Sequence, residues 1–234
     1  MTVDPVMLVV SAVAALPAGW FAGALVDRVP SGTDSLLSPL PAVRFTGKYL
    51  VMYVLLLVLN VGAALRFADD GWWVLVPFLV VFCALVALAV IDVELLRLPD
   101  RIVVPTLLVS IPMIVVASIA DGDAVAIQRA LIGGAVYFGF LFLFHLIFGN
   151  RGMGFGDVKM SAILGLYLGW IGASTLQVIA YVLWALVIGV LSGTIIGIVL
   201  FAVRRRSRSY PFGPFLIGGA LVLVFFGTTL VTAR

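Results

Sequence analysis

The sequence predicts an all-α fold, a polytopic membrane bundle of about eight transmembrane helices, and three observations carry that expectation. Hydrophobic residues make up 64% of the 234-residue chain and charged residues 11%, where a soluble domain averages roughly half and roughly a quarter. Apolar runs of bilayer-crossing length recur along the whole chain. The basic residues between them fall almost entirely on one side once the runs alternate in direction. Apolar residues in this excess have no soluble core large enough to hide in, so lipid must solvate much of the surface.

A helix needs about 20 apolar residues to cross the hydrocarbon core. The candidates are 5–26, 49–66, 72–91, 103–120, 126–148, 160–173, 175–203 and 211–231. No Lys or Arg precedes the first run, and Arg28 follows it. A signal peptide needs a basic region ahead of its apolar stretch, so 5–26 reads as a retained helix entering from outside. The sixth run is short and Gly-rich, a partial or tilted span. The seventh is long enough to extend beyond the bilayer. Its Gly189, Gly193 and Gly197 lie at GxxxG spacing, which permits close helix contact within the chain. Gly133-Gly134 and Gly218-Gly219 are read the same way.

With the 27–48 loop in the cytoplasm, alternation sends eleven basic residues to that side: Arg28, Arg44, Lys48, Arg97, Arg101, Arg151, Lys159, Arg204, Arg205, Arg206 and Arg208. The outside receives three, Arg66, Arg129 and Arg234. This is a strong positive-inside bias; it supports eight spans with both termini outside. The Arg204–Arg208 run reads as an anchor at anionic headgroups. No soluble domain, long linker or internal repeat interrupts the chain, which is read as one integral membrane domain, 1–234, with a short first cytoplasmic loop at 27–48.

Composition narrows the chemistry. The single cysteine, Cys83, lies in an apolar run, which excludes an internal disulfide framework and a Cys-rich zinc site. The single histidine, His145, has no Cys or acid beside it and reads as a helix-packing or interface residue. No metal site, P-loop or nucleic-acid partner is expected. Carboxylates remain, and those at a membrane boundary are functional candidates because their desolvation is expensive. Asp4, Asp69, Asp70, Asp121 and Asp123 fall in outer loops and read as solvated. Asp27, Asp34, Asp92, Glu94, Asp100 and Asp157 fall on the cytoplasmic side.

Two segments stand out there. Asp92 directly follows the apolar stretch Ala87–Ile91, with Pro99 and Asp100 a few residues on. In Gly152-Met153-Gly154-Phe155-Gly156-Asp157-Val158-Lys159, glycines alternate with bulky apolar residues before an acid. Gly154 and Gly156 allow positive φ and close approach to another chain, as a loop receiving an extended peptide requires. Plain readings stand beside these: Asp157 as a helix N-cap, Asp92 ending a helix, Pro99 breaking the chain and Asp100 capping the next helix. Two close carboxylates hold one proton between them. One then activates water while the other polarises a peptide carbonyl. Such a pair titrates as a unit, so neither Asp is assigned as acid or base.

The Gly152–Lys159 run resembles the GxGD signature of the prepilin peptidases, the type IV leader peptidases, and Asp92–Asp100 resembles the family's other aspartate motif, an acid at a helix end followed by Pro-Asp or Pro-Asn. Further similarities run in order along the chain: Gly19–Pro30 with the N-terminal block, departing at Trp20, Ala22 and Gly23; Pro41–Tyr49, loosely; and Pro211-Phe212-Gly213-Pro214 before the last helix. The resemblance implies the GxGD aspartyl protease fold, with a peptidase core at 86–203, Asp92 and Asp157 as catalytic residues, and Gly154, Phe155, Gly156 and Lys159 in the active-site loop. It further implies a bacterial-type inner membrane location with the active site at the cytoplasmic face. The substrates implied are type IV prepilin or pseudopilin precursors, whose short basic leader would be drawn by Asp27, Glu94 or Asp100. Asp100 is otherwise carried as structural.

One departure bears on scope. Many members also N-methylate the mature product with S-adenosylmethionine and carry CxxC pairs in a larger first loop. The 27–48 loop here is short and Cys-free, so peptidase activity alone is expected and no cofactor is needed for it. The alternatives are a bifunctional enzyme, a GxGD intramembrane protease with other substrates, and an inactive membrane scaffold. Oligomeric state is left open.

Overall fold

The computed structural model describes residues 4–29, 47–149, 153–204 and 210–232. Most of the 27–48 loop, Arg151 and Gly152, and Arg205 to Arg208 lie outside the described residues. Among the described residues eight α-helices follow in order: α1 Pro5–Arg28, α2 Lys48–Arg66, α3 Trp72–Leu95, α4 Asp100–Ala120, α5 Val125–Phe148, α6 Phe155–Trp170, α7 Thr175–Arg204 and α8 Gly213–Thr232. There is no strand among the described residues. Seven of the helices are long and apolar enough to cross a membrane, and the chain is a multi-pass helical membrane protein. The eighth, α6, has only 16 residues, about 24 Å at 1.5 Å per residue. It is the short sixth run of the sequence.

The helices sort into two compact units, Met1–Ile91 with Pro99–Gly122, and Asp92–Leu98 with Asp123–Arg234. The division falls inside α3, just before Asp92. In the first unit, α1 starts at an Asp4 cap whose carboxylate accepts from the Val6 N–H at 2.8 Å, satisfying one of the N–H groups a helix start leaves unpaired. Small residues let α2 approach α1. The Tyr53 ring lies against Gly19, and the Tyr49 ring 3.2 Å from where a Gly23 side chain would begin. The Asn60 amide donates to the Ser11 carbonyl at 3.3 Å. Cys83, the apolar buried residue expected, donates its thiol to the Ala18 carbonyl at 3.2 Å.

In the second unit, glycines again set the spacing. A side chain on Gly133 would run into the Gly165 carbonyl, and one on Gly169 into the Arg129 carbonyl. The backbones of α5 and α6 are therefore in direct contact, and α6 also packs against α7 and α8. Nearly every residue of α6 from Asp157 to Trp170 is buried, so this helix is short because protein rather than lipid surrounds it. The expected role of the GxxxG run holds: Gly189 seats Leu216, Gly193 seats Phe212, and Gly197 seats Tyr210. Gly219 meets the Ala185 carbonyl, whereas Gly218 faces open space and takes no part in this packing.

Candidate active site

The last turn of α3 carries Asp92. It is closed by Leu96, whose N–H bonds to the Asp92 carbonyl at 2.8 Å and whose φ of 54° is left-handed. A left-handed residue is the usual stop of a helix, but a branched side chain there is strained, and such strain persists only where the surroundings enforce it. Two residues on, Leu98 packs under the Gly154–Asp157 turn. A Cβ on Gly156 would lie 2.9 Å from the Leu98 Cβ and 3.2 Å from its carbonyl oxygen.

On the other side of the site, α5 ends at Gly149, whose φ of 60° suits glycine and whose N–H returns to the His145 carbonyl. The chain then reaches Gly154, extended at φ −67° and ψ 143°, which caps α6. Asp157 is therefore the third residue of α6, not its cap, and its N–H bonds to the Gly154 carbonyl at 3.1 Å. An acid in the first turn is favoured by the unpaired N–H groups there. Of the two properties expected of these glycines, positive φ needs correction. Neither has positive φ; Gly156 is required because Leu98 occupies the space of a side chain. Asp100 likewise is not a cap, since Pro99 holds that position and Asp100 begins α4.

The two carboxylates meet around a third element. The Gly213 N–H, at the start of α8, donates to Asp92 Oδ2 at 2.8 Å across 121 residues of chain. A Cβ on Gly213 would lie 2.8 Å from that oxygen and 3.5 Å from Asp157 Oδ1, so both acids flank one small space at Gly213. Both are buried, Asp92 at 5% exposure and Asp157 at 8%. Asp157 Oδ1 has no hydrogen-bond partner among the described residues. Asp157 precedes the predicted span 160–173 and stands outside the seven long apolar helices. Burial first, and then the adjacent Asp92 carboxylate, raise its carboxyl above the usual range, against a lowering by the Gly154 N–H. These are the physical conditions for two acids sharing one proton.

His145 braces the loop. Its Nδ1 lies 3.0 Å from the Met153 carbonyl, which can only accept, so Nδ1 carries the proton. Phe155, partly exposed, packs beside His145 with centroids 5.4 Å apart and edge-on to Phe142. The Lys159 ammonium stands 4.9 Å from the Phe155 ring centre. Gly154, Phe155, Gly156, Lys159 and both aspartates are thus brought together in the second unit. Glu94 is exposed in the same unit. Asp27 and Asp100 belong to the first unit, where Asp27 accepts from the Tyr49 hydroxyl at 2.8 Å and lies 3.8 Å from the Lys48 ammonium. Two contributors were not assigned to the site from sequence, the Gly213 amide and the His145 brace. The Pro211–Pro214 motif was the available signal for the first.

Fold and site together define a polytopic helical membrane protein with a buried carboxylate pair. The chain belongs to the type IV leader peptidase family, whose model matches residues 79–202, more than half of its length. It is 31% identical over 186 residues to the prepilin leader peptidase/N-methyltransferase of Aeromonas hydrophila, covering 79% of this chain and 60% of the relative. It is 34% identical over 148 residues to the protein of that name from Burkholderia pseudomallei, covering 62% of this chain and 44% of the relative. To that of Xanthomonas campestris pv. campestris it is 32% identical over 199 residues, covering 80% and 64%. The chain spans about three fifths or less of the length of most of these relatives. No solved structure matches it.

Proposed function

We propose that this protein is a membrane aspartic endopeptidase of the bacterial inner membrane. In this reading it removes the short basic leader, a class III signal peptide, from type IV prepilin-like or pseudopilin precursors at the cytoplasmic face, and both termini lie outside. The observation that carries the proposal is the pair of buried carboxylates, Asp92 and Asp157, flanking the Gly213 backbone. Peptide hydrolysis by such a pair needs a water between them. The ionised member takes its proton while the protonated member polarises the scissile carbonyl. Asp157 Oδ1, buried and without a donor, is the atom best suited to hold that shared proton. The Gly213 N–H holds Asp92 through Oδ2, leaving its other oxygen available in this reading.

The precursor's apolar helix would lie in the bilayer and its leader would emerge at membrane level, where Glu94, Asp100 or Asp27 would attract its basic residues. The relatives are named for methyl transfer as well. Cleavage needs no cofactor, and S-adenosylmethionine would be required only for methyl transfer to the new N-terminus, the second activity in the relatives' name.

The test is co-expression with a precursor carrying a basic leader, a Gly and an apolar helix, followed by its change in size. The wild-type chain is expected to shorten it, whereas Asp92→Ala and Asp157→Ala each leave it full length. Normal processing by either variant sinks the assignment. Mass spectrometry of the product's N-terminus reads methylation in the same sample.

A further inference from the structure

The first unit contains a half-open cavity of about 560 Å³ that the carboxylate pair does not use. Its walls come from α1, α3 and α4, with Asn60 of α2, and they are almost wholly apolar. Three polar wall donors turn back to helix carbonyls, while the Asn60 amide oxygen has no partner among the described residues. The Cys83 thiol donates to Ala18, the Thr106 hydroxyl to Ile102 at 2.7 Å, and the Asn60 amide to Ser11. The exceptions to the apolar lining are Arg28, the last residue of α1, and Arg101, the second residue of α4. Both stand at the ends of membrane-crossing helices, at the level of the headgroups.

Depth identifies the occupant. Along α4 the lining runs from Arg101 to Val109 and along α1 from Arg28 to Ala14, about 12 Å and about 21 Å at 1.5 Å per residue. One leaflet of the hydrocarbon core is about 15 Å deep, half of the roughly 30 Å total, so the α4 wall stays within it and the α1 wall passes the midplane without reaching the far side. A transmembrane helix of a partner would need the full depth. An acyl chain needs one leaflet, with its charged end where the arginines stand. The geometry points to a binding site for one anionic phospholipid, its acyl chain in the apolar cavity and its phosphate between Arg28 and Arg101. This site is independent of the proposed peptidase chemistry.

Native mass spectrometry of the full chain, released from detergent after incubation with equal amounts of phosphatidylglycerol and phosphatidylcholine of the same acyl chains, tests it. Each basic residue near an anionic headgroup favours binding about fivefold, so the pair gives one retained phosphatidylglycerol with about 25-fold preference. Arg28→Gln with Arg101→Gln is expected to abolish the preference while leaving weak, equal retention of both lipids. Val109 is exposed and lines the inner part of the cavity, so Val109→Trp is expected to fold and to exclude both lipids. Equal retention of the two lipids by the wild-type chain overturns the inference, and that comparison needs no variant. So does displacement of the lipid by inorganic phosphate, an unchanged preference in the double variant, or a second copy of the chain found in place of the lipid.

Discussion

Gly213→Ala is the most informative single substitution, because it leaves every titratable group and every backbone donor in place. The φ at Gly213 is not left-handed, so alanine brings only a methyl group. That methyl would sit 2.8 Å from Asp92 Oδ2 and 3.5 Å from Asp157 Oδ1. The first distance is about 0.7 Å inside a comfortable non-bonded separation of about 3.5 Å. Asp92 must move by about that amount, and a misplacement of about 1 Å at reacting groups costs on the order of 100-fold in rate. We predict a fall in kcat of roughly 10- to 100-fold with little change in KM, since the methyl touches the carboxylates rather than a substrate surface. The assay is purified enzyme in detergent with a precursor peptide, alongside Asp92→Ala as the zero and thermal unfolding as a control for folding. A kcat within twofold of wild type would refute the claim that the α8 backbone positions the pair.

Three further outcomes follow from the same geometry. Gly156→Ala presses on the Cβ and backbone of Leu98 and is expected to cost about 1–3 kcal/mol of stability, measured by denaturation; Leu98→Ala keeps all of those atoms, so the Gly156→Ala/Leu98→Ala double variant is expected to show no recovery. His145→Phe removes the donor to the Met153 carbonyl and should cost about 1 kcal/mol and slow processing, whereas a substitution at exposed Leu146 should do neither. Asp157 is raised in the folded state, which therefore binds more protons than the unfolded chain between the two pKa values. Its contribution to stability is complete below the unfolded pKa and is lost as pH rises through the folded one. Asp157→Asn should thus raise the melting temperature at neutral pH and leave it nearly unchanged in acid; an equal shift at both would contradict a raised Asp157.

Much of this was legible in the residues. Eight helices appeared where apolar runs predicted them, because a bilayer demands a fixed length of apolar chain. Asp157 was conspicuous for its glycines, whereas Asp92, at the end of an apolar run, was singled out as its partner only through the family resemblance. What eluded the sequence has physical causes. Glycine is selected both for backbone freedom and for the absence of a side chain, and a string of letters does not separate the two. Gly154 and Gly156 were read as serving both ends; neither has positive φ, and Gly156 is close-packed against Leu98 of this same chain. Gly213 offers the site an amide hydrogen, which every residue but proline possesses, and the room left by a missing side chain, both delivered across 121 residues. Helix ends were blurred for a similar reason. Asp92 and Asp157 fall inside the terminal turns of α3 and α6, where composition had drawn the boundary beside them.

The seclusion of α6 has a consequence for how the protein meets different membranes. Helices in contact with lipid respond to a thicker or thinner bilayer by tilting or by distorting the lipid around them. A helix whose neighbours are α5, α7 and α8, held by backbone contacts at Gly133, Gly165 and Gly169, has no such interface of its own. Changes in lipid chain length reach Asp157 only through the surrounding helices. The buried Asp157 carboxylate thus sits on an element set back from the variability of the membrane around it.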